Sequence, residues 1–531
     1  MLIIKKKGIS LRKIALLTLV LIPVVFSGFY FGLYLGVIVP DLTKYMKTAP
    51  DTAEFYPLED INISRLEEIG REFEMLQEQH IPINLSQQIK FNASTGQVME
   101  YESTDNGALH TAEALTASCY RYATLPSGSD KDQALGLIQK MVTGLKMLIA
   151  VPNGGLGPDF PGTTIGRFYA SPAQRNDGNY TWMFDEHFRH FNGTGQYSDW
   201  RIRLYTSKDE ISGYFLGLAA TLMLVEDDEY CQETVKLIIL QAMEGFLSSF
   251  WQEMSGDGKP NGVYLQPPCY AQWKLLLTKM ATLADPDNAR YEQLYQYYLV
   301  KERNVKNTPY VSDTDNIDNY YSQYFENMVV LGLFLVEKDQ KLVDLYFENY
   351  QARTYSSYRG HRNAFLNALY LGASSVSTVQ PDFDIEEIRW DVLDQLWRFN
   401  EFSLVPYDTT FGGQNQTVSR IEKSTEFGEE WFALDPNIAK WKDFVDNTAF
   451  GSLYQWLTYG LQDAIFRDRY LKPATVEMSN PTSILWNRNP FTEDGNHIYN
   501  TESVITQYHG ATFTLPYYML SYYNYLQPGA N

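Results

Sequence analysis

Two pairs of adjacent acids, Asp209 with Glu210 and Glu429 with Glu430, are the residues of this chain best suited to moving protons. A protonated carboxyl can give its proton to a leaving oxygen, and an ionised one can activate water or attack directly, so paired acids suffice for general acid and base work. Asp209 stands first. In S-K-D-E, Ser207 can cap a helix and leave the following acids at its mouth, close to the positive end of the helix dipole. The plainer account is that Asp209 and Glu210 are ordinary first-turn acids. Glu429 and Glu430 lie in the loop F-G-E-E-W-F-A-L-D-P, where solvated loop acids are the alternative. His110 in D-N-G-A-L-H and His361 in R-G-H-R-N add two proton carriers, each also readable as a structural hydrogen bonder.

Other signals lead nowhere. D-T-D-N-I-D at 313–318 looks like a calcium loop, but Ile317 stands where an oxygen ligand belongs and the glycine of the sixth position is missing. An EF-hand is excluded, and helix capping by Asp318 is the simpler reading. His187 and His190 lack the spacing of a zinc signature, and Gly154, Gly155 and Gly157 lie in a loop without the strand-to-helix context of a phosphate cradle. Cys119, Cys231 and Cys269 allow one disulfide at most and make no zinc set. The sequence therefore calls for no metal and no cofactor, calcium being the one ion with part of a ligand set.

To position such groups the chain has 531 residues, 44% of them hydrophobic, which is ample for a large core and excludes disorder. A net charge of −21 argues against nucleic acid or an anionic membrane surface as partner. Residues 14–39 carry no charge and follow Lys5, Lys6, Lys7, Arg12 and Lys13. About 20 apolar residues span a bilayer. The stretch exceeds a cleaved signal's apolar region and lacks its small-residue cleavage site, so an uncleaved signal anchor is expected. Its flanking charge puts 1–13 in the cytoplasm and the rest outside. Sequons at Asn62, Asn84, Asn92, Asn179, Asn192 and Asn415 agree with that topology and mark expected glycosylation sites.

Residues 40–104 read as a tether, a stalk helix at 63–80 and a β-hairpin at 82–102. From 105 to 531 the fold class is all-α. Apolar residues recur at intervals of three and four in twelve segments: 108–124, 130–151, 207–226, 228–253, 268–284, 287–300, 319–336, 339–350, 360–374, 384–400, 447–470 and 503–525. Short joins within pairs and long ones between them suggest six helical hairpins. Arranged in a ring, these hairpins gather the long loops and the starts of the odd-numbered helices at one end. An irregular bundle or superhelix fits the same periodicity.

With S-K-D-E-I-S-G-Y-F-L-G-L at 207–218, A-Q-W-K-L-L-L-T-K-M-A at 271–281 and L-P-Y-Y-M-L-S-Y-Y at 515–523, this arrangement resembles the six-hairpin (α/α)6-toroid carbohydrate-active enzymes across residues 105–525. The zinc ligands of lanthionine cyclases and the Asp-rich motif of terpene cyclases, which share related folds, are absent. The resemblance implies a cleft across one end of the ring, lined by Asp105, His110, Arg167, Asp209, Glu210, Tyr270, Tyr320, Tyr321, His361, Arg362, Glu429, Glu430 and Asp446, with Trp431 as a platform for a sugar ring. It implies a membrane-anchored glycoside hydrolase acting on a carbohydrate or glycan, with two carboxyls about 5 to 9.5 Å apart. A polysaccharide lyase, using His110, His361, Arg167 and Tyr270, and a non-catalytic glycan-binding or scaffold protein remain the alternatives. Nothing in the sequence sets the oligomeric state.

Overall fold

The computed structural model describes residues 50–401, except 51, 93–94, 96, 103–105, 178–179, 181–188, 204–206, 256, 265–270 and 301–319, then a few positions between 448 and 490, and 504–527. The expected anchor at 14–39, the expected helix at 447–470 and the 313–318 segment lie outside the described residues.

The described chain is mostly helical. In chain order the helices are α1 (Ile63–Gln79), α2 (Gly107–Thr124), α3 (Ser129–Asn153), α4 (Lys208–Leu224), α5 (Glu229–Ser248), α6 (Ala271–Ala284), α7 (Ala289–Val300), α8 (Tyr320–Val336), α9 (Gln340–Asn349), α10 (Ala364–Val376), α11 (Ile385–Trp397) and α12 (Ala511–Tyr522). The strands are β1 (Gln88–Asn92), β2 (Val98–Glu102), β3 (Phe168–Ala170), β4 (His190–Asn192), β5 (Arg201–Arg203), β6 (Gln252–Met254), β7 (Pro260–Tyr264) and β8 (Val504–Gln507).

Burial divides the helices into two kinds. On α2 and α4 nearly every residue is buried, whatever its direction, as required of a helix surrounded by others. On α1 and α9 the buried residues form a single stripe. Packing runs from α2 to α4, from α4 to α8, on to α10 and α12, and from α12 back to α2. The partner of each pair lies against it: α3 on α2, α5 on α4, α7 on α6 and α11 on α10. α6 packs against α5 and α8. The approach of α4 to α2 is close enough to need glycine: a Cβ on Gly213 would stand 2.5 Å from Leu109 Cα.

Among the described residues one helix, α3, is long and apolar enough to cross a membrane, but 67% of its most apolar stretch is buried inside the fold. It is a core helix, closed by Gly154 at φ 87°, the left-handed conformation that glycine supplies at helix ends.

Three boundaries differ from the periodicity. The pattern at 228–253 overruns because Phe250 and Trp251 take positive φ and turn the chain into β6 after α5 ends at Ser248. Residues 360–363 are loop, with Arg362 at φ 57° and Asn363 capping α10 through the Leu366 N–H at 3.0 Å. The start of 503–525 is strand: β8 pairs antiparallel with β1, which also pairs with β2, in a sheet ordered β2-β1-β8. The hairpin at 82–102 thus gains a third strand from the far end of the chain.

The segment expected as a stalk is part of the packed body. Leu66, Ile69 and Phe73 of α1 are buried in the main core, and the Phe73 ring stacks on Phe513 of α12 at 5.4 Å. Glu74 of α1 accepts from Arg121 of α2 at 2.7 Å and from the Tyr518 hydroxyl of α12. An amphipathic helix on the sequence shows only one apolar stripe, which suits a stalk or a docked outer helix equally; packing on α12 decides between them.

Candidate functional site

The starts of α2, α4, α8 and α12 bring together polar side chains from four distant stretches of the chain. Glu210, in the first turn of α4, directs Oε2 at the start of α2, where it accepts the backbone N–H groups of Ala108 at 2.8 Å and Leu109 at 3.2 Å. These are donors that a helix start leaves without intrahelical partners. The other oxygen, Oε1, has no hydrogen-bond partner and lies 3.9 Å from Arg167 Nε. Burial pushes the Glu210 carboxyl up to about 8, with Asp209 adding to the rise, while Arg167 and the two backbone N–H groups oppose it.

Asp209, next in line, faces a different environment. It accepts from the Tyr321 hydroxyl of α8 at 2.9 Å, and that hydroxyl accepts from the Asn106 amide at 2.5 Å. Asn106 and Tyr321 are half-buried, so this short relay is the outer edge of the cluster. Burial first, and then the neighbouring Asp209 charge, hold the Tyr321 phenol well above its ordinary range. It therefore serves Asp209 as a donor throughout the physiological range.

Beneath the relay lies a second group. His110 and Glu113, one turn apart on α2, meet with Nδ1 and Oε2 at 2.6 Å, and the Tyr324 hydroxyl of α8 donates to Glu113 Oε1 at 2.6 Å. His509, just ahead of α12, brings Nε2 to 3.2 Å from the same Oε2, within ion-pair range but off hydrogen-bond alignment. All four side chains are at most 3% exposed. Burial works against the Glu113 charge, but the histidines, His110 before His509, prevail and hold the carboxyl well below its ordinary range. Burial lowers His509 in spite of Glu113.

The sequence-derived candidates divide into those that meet at this cluster and those that lie elsewhere. His110, Asp209, Glu210 and Tyr321 meet in one cluster, and Arg167 borders it, its Nη2 3.4 Å from the Ser207 hydroxyl. Ser207 is the N-cap residue of α4, as expected, but makes no side-chain capping bond. Tyr320 and His361 pair elsewhere: their rings lie 5.8 Å apart, and the Tyr320 hydroxyl accepts from Asn363 at 3.2 Å. Arg362 was expected to hold substrate, yet its guanidinium is engaged in a buried ion pair with Asp391 and Asp394 of α11 and lies over the Phe55 ring. With 4% exposure it ties the start of α10 to its partner helix. Asp105, Tyr270, Glu429, Glu430, Trp431 and Asp446 lie outside the described residues.

Of the sequons, Asn62 and Asn192 are exposed, although Asn62 also caps α1 through the Arg65 N–H. Asn84 and Asn92 are half-buried, Asn84 with φ 64° and Asn92 accepting from the Thr95 N–H. Asn179 and Asn415 lie outside the described residues.

Sequence reasoning missed Glu113, Tyr324 and His509. The first carried a usable signal, since His110 and Glu113 stand three apart on a helix and so share a face. His509 carried none, because its place at a helix mouth appears only once 504–507 is known to be strand. Comparison of the chain with protein-family models, with curated proteins and with solved structures finds no match.

Proposed function

We propose that the chain is a membrane-anchored, extracytoplasmic carbohydrate-active enzyme, most simply a glycoside hydrolase, built on an (α/α)6 toroid. The circuit of helix packing that returns from α12 to α2 supports the ring, with α1 as the outer partner of α12. The uncharged 14–39 stretch behind a basic cluster supports the anchor.

The observation that carries the enzymatic reading is the contrast between two adjacent carboxyls. Glu210 is wholly buried and held protonated near neutral pH, whereas the neighbouring Asp209, also buried, accepts from the Tyr321 hydroxyl at the outer edge of the cluster. A carboxyl raised by burial beside a second acid is a mark of acid–base sites. In this reading Asp209 exchanges the proton with the glycosidic oxygen or the attacking water, Tyr321 orients it by its hydrogen bond, and Glu210 fixes the floor. The second carboxyl comes from Glu429 or Glu430, with Trp431 and Arg167 holding the sugar.

β-Elimination is the second reading, favoured by Asn106 beside the Tyr321 hydroxyl, an arrangement able to hold a uronate carboxyl next to a proton donor. The test is turnover of a panel of neutral and acidic polysaccharides, following new reducing ends and ultraviolet absorbance, with Asp209→Asn as control. Reducing ends lost in the variant support hydrolysis; added absorbance transfers the case to elimination. Binding without turnover by folded protein overturns both in favour of a glycan-binding surface protein.

A further inference from the structure

The buried group beneath the relay offers a donor set that proton transfer to sugar does not require. We propose that His110, Glu113 and His509 are the protein ligands of a divalent transition-metal ion of the zinc class. Two imidazoles and one carboxylate are a ligand set of catalytic zinc centres, which leave a fourth position for water or substrate. His110 and Glu113 supply their share from one helix face, and His509 closes the set from the mouth of the facing helix.

Geometry supports this in three ways. The ligand atoms of the three residues lie within 4.8 Å of one another, and all three side chains are buried. Zinc bonds of about 2.0–2.1 Å at tetrahedral angles put neighbouring ligand atoms about 3.3 Å apart. Here the Glu113 oxygen stands 2.6 Å from His110 Nδ1 and 3.2 Å from His509 Nε2, so small side-chain rotations admit the ion.

Second, His509 Nε2 is buried without a hydrogen-bond partner although its ring is 2% exposed, and it points at the cluster. A buried nitrogen held only by a contact off hydrogen-bond alignment gains from a coordinating ion. Its other nitrogen accepts a long 3.3 Å contact from the Ala511 N–H, which metal binding through Nε2 would give up.

Third, the ion-pair contacts of Glu113, among the described residues, are to the two histidines that complete the set, and the Tyr324 hydroxyl on its remaining carboxylate oxygen is the outer partner that orients a metal-bound carboxylate.

The proposal does not rest on the glycan reading, and its test uses metal alone. Full-length protein in detergent is stripped with chelator and titrated with Zn²⁺ by calorimetry, and the zinc-loaded protein is examined by X-ray absorption. One equivalent per chain is expected, with two imidazoles and oxygen in the zinc shell. His509→Gln and Glu113→Gln should each lower affinity at least about 100-fold. Tyr324→Phe, which leaves all three ligands, should lower it about 10-fold or more while keeping the same X-ray spectrum. His187→Asn combined with His190→Asn should change nothing. Failure of the wild-type protein to take up one equivalent, a shell without two imidazoles, affinity unchanged by Tyr324→Phe, or loss of binding in the His187/His190 variant overturns the proposal.

Discussion

Glu210 of α4 completes the first turn of α2: one oxygen of its carboxyl takes the N–H groups of both Ala108 and Leu109. The bond joins the two most closely packed helices at the end where the candidate site lies. It is possible only because Gly213, one turn further on, lets the α4 backbone pass within reach of Leu109.

Replacing Glu210 by Ala strands those two donors in a dry setting and should destabilise the protein by about 2–4 kcal/mol, read from the denaturant midpoint. Glu210→Gln keeps one oxygen for the same donors and should cost less than half as much. Equal losses in the two variants would mean that the capping bond contributes nothing.

The raised Glu210 carboxyl also sets a pH dependence. Its proton is lost near 4.5 in the unfolded chain and near 8 in the folded one, so its contribution is full below about 4.5 and is lost as pH rises toward 8. Stability measured between pH 5 and 8 should therefore decline more steeply in the wild-type protein than in Glu210→Gln. Parallel slopes would remove Glu210 as the source.

If Asp209 carries the proton, Asp209→Asn should lower turnover by about 10²–10⁴-fold with little change in folding. Tyr321→Phe removes the hydroxyl that orients Asp209 and should lower turnover by about 10-fold or more with little change in the unfolding midpoint. Unchanged turnover would detach Tyr321 from the reaction.

Phe73→Ala on α1 should cost about 3–5 kcal/mol, the range for deleting a buried aromatic ring. A stalk helix would tolerate the change within about 0.5 kcal/mol, as surface positions do. Thermal or chemical unfolding of the single variant distinguishes the two.

Much of this fold is readable from periodicity. The helices from α2 to α11 fall within a few residues of where apolar spacing puts them, because each buries apolar residues at helical intervals. What periodicity hides is pairing across the chain: residues 504–507 alternate weakly and became strand only because β1 offers an open edge. At the site, Asp209 and His110 stood out as chemical groups at helix mouths. Arg362 looked the same on paper, and only the two aspartates of α11 show that its charge is already used. Glu113 lay unremarked inside an apolar helix, where its neighbours in space, Tyr324 and His509, are far away in sequence.

The sheet that joins β1 to β8 has a consequence for biosynthesis. His80 reaches Gln507, 427 positions later, and the Tyr518 hydroxyl reaches Glu74 across 444. Until the ribosome has released that last stretch, α1 keeps Leu66, Ile69 and Phe73 without their covering helix and β1 keeps an unpaired edge. Contacts of such span form late and slowly, so those apolar residues and that strand edge stay uncovered for nearly the whole of translation. A premature stop near residue 500 would then spoil the first helix of the domain as surely as the last.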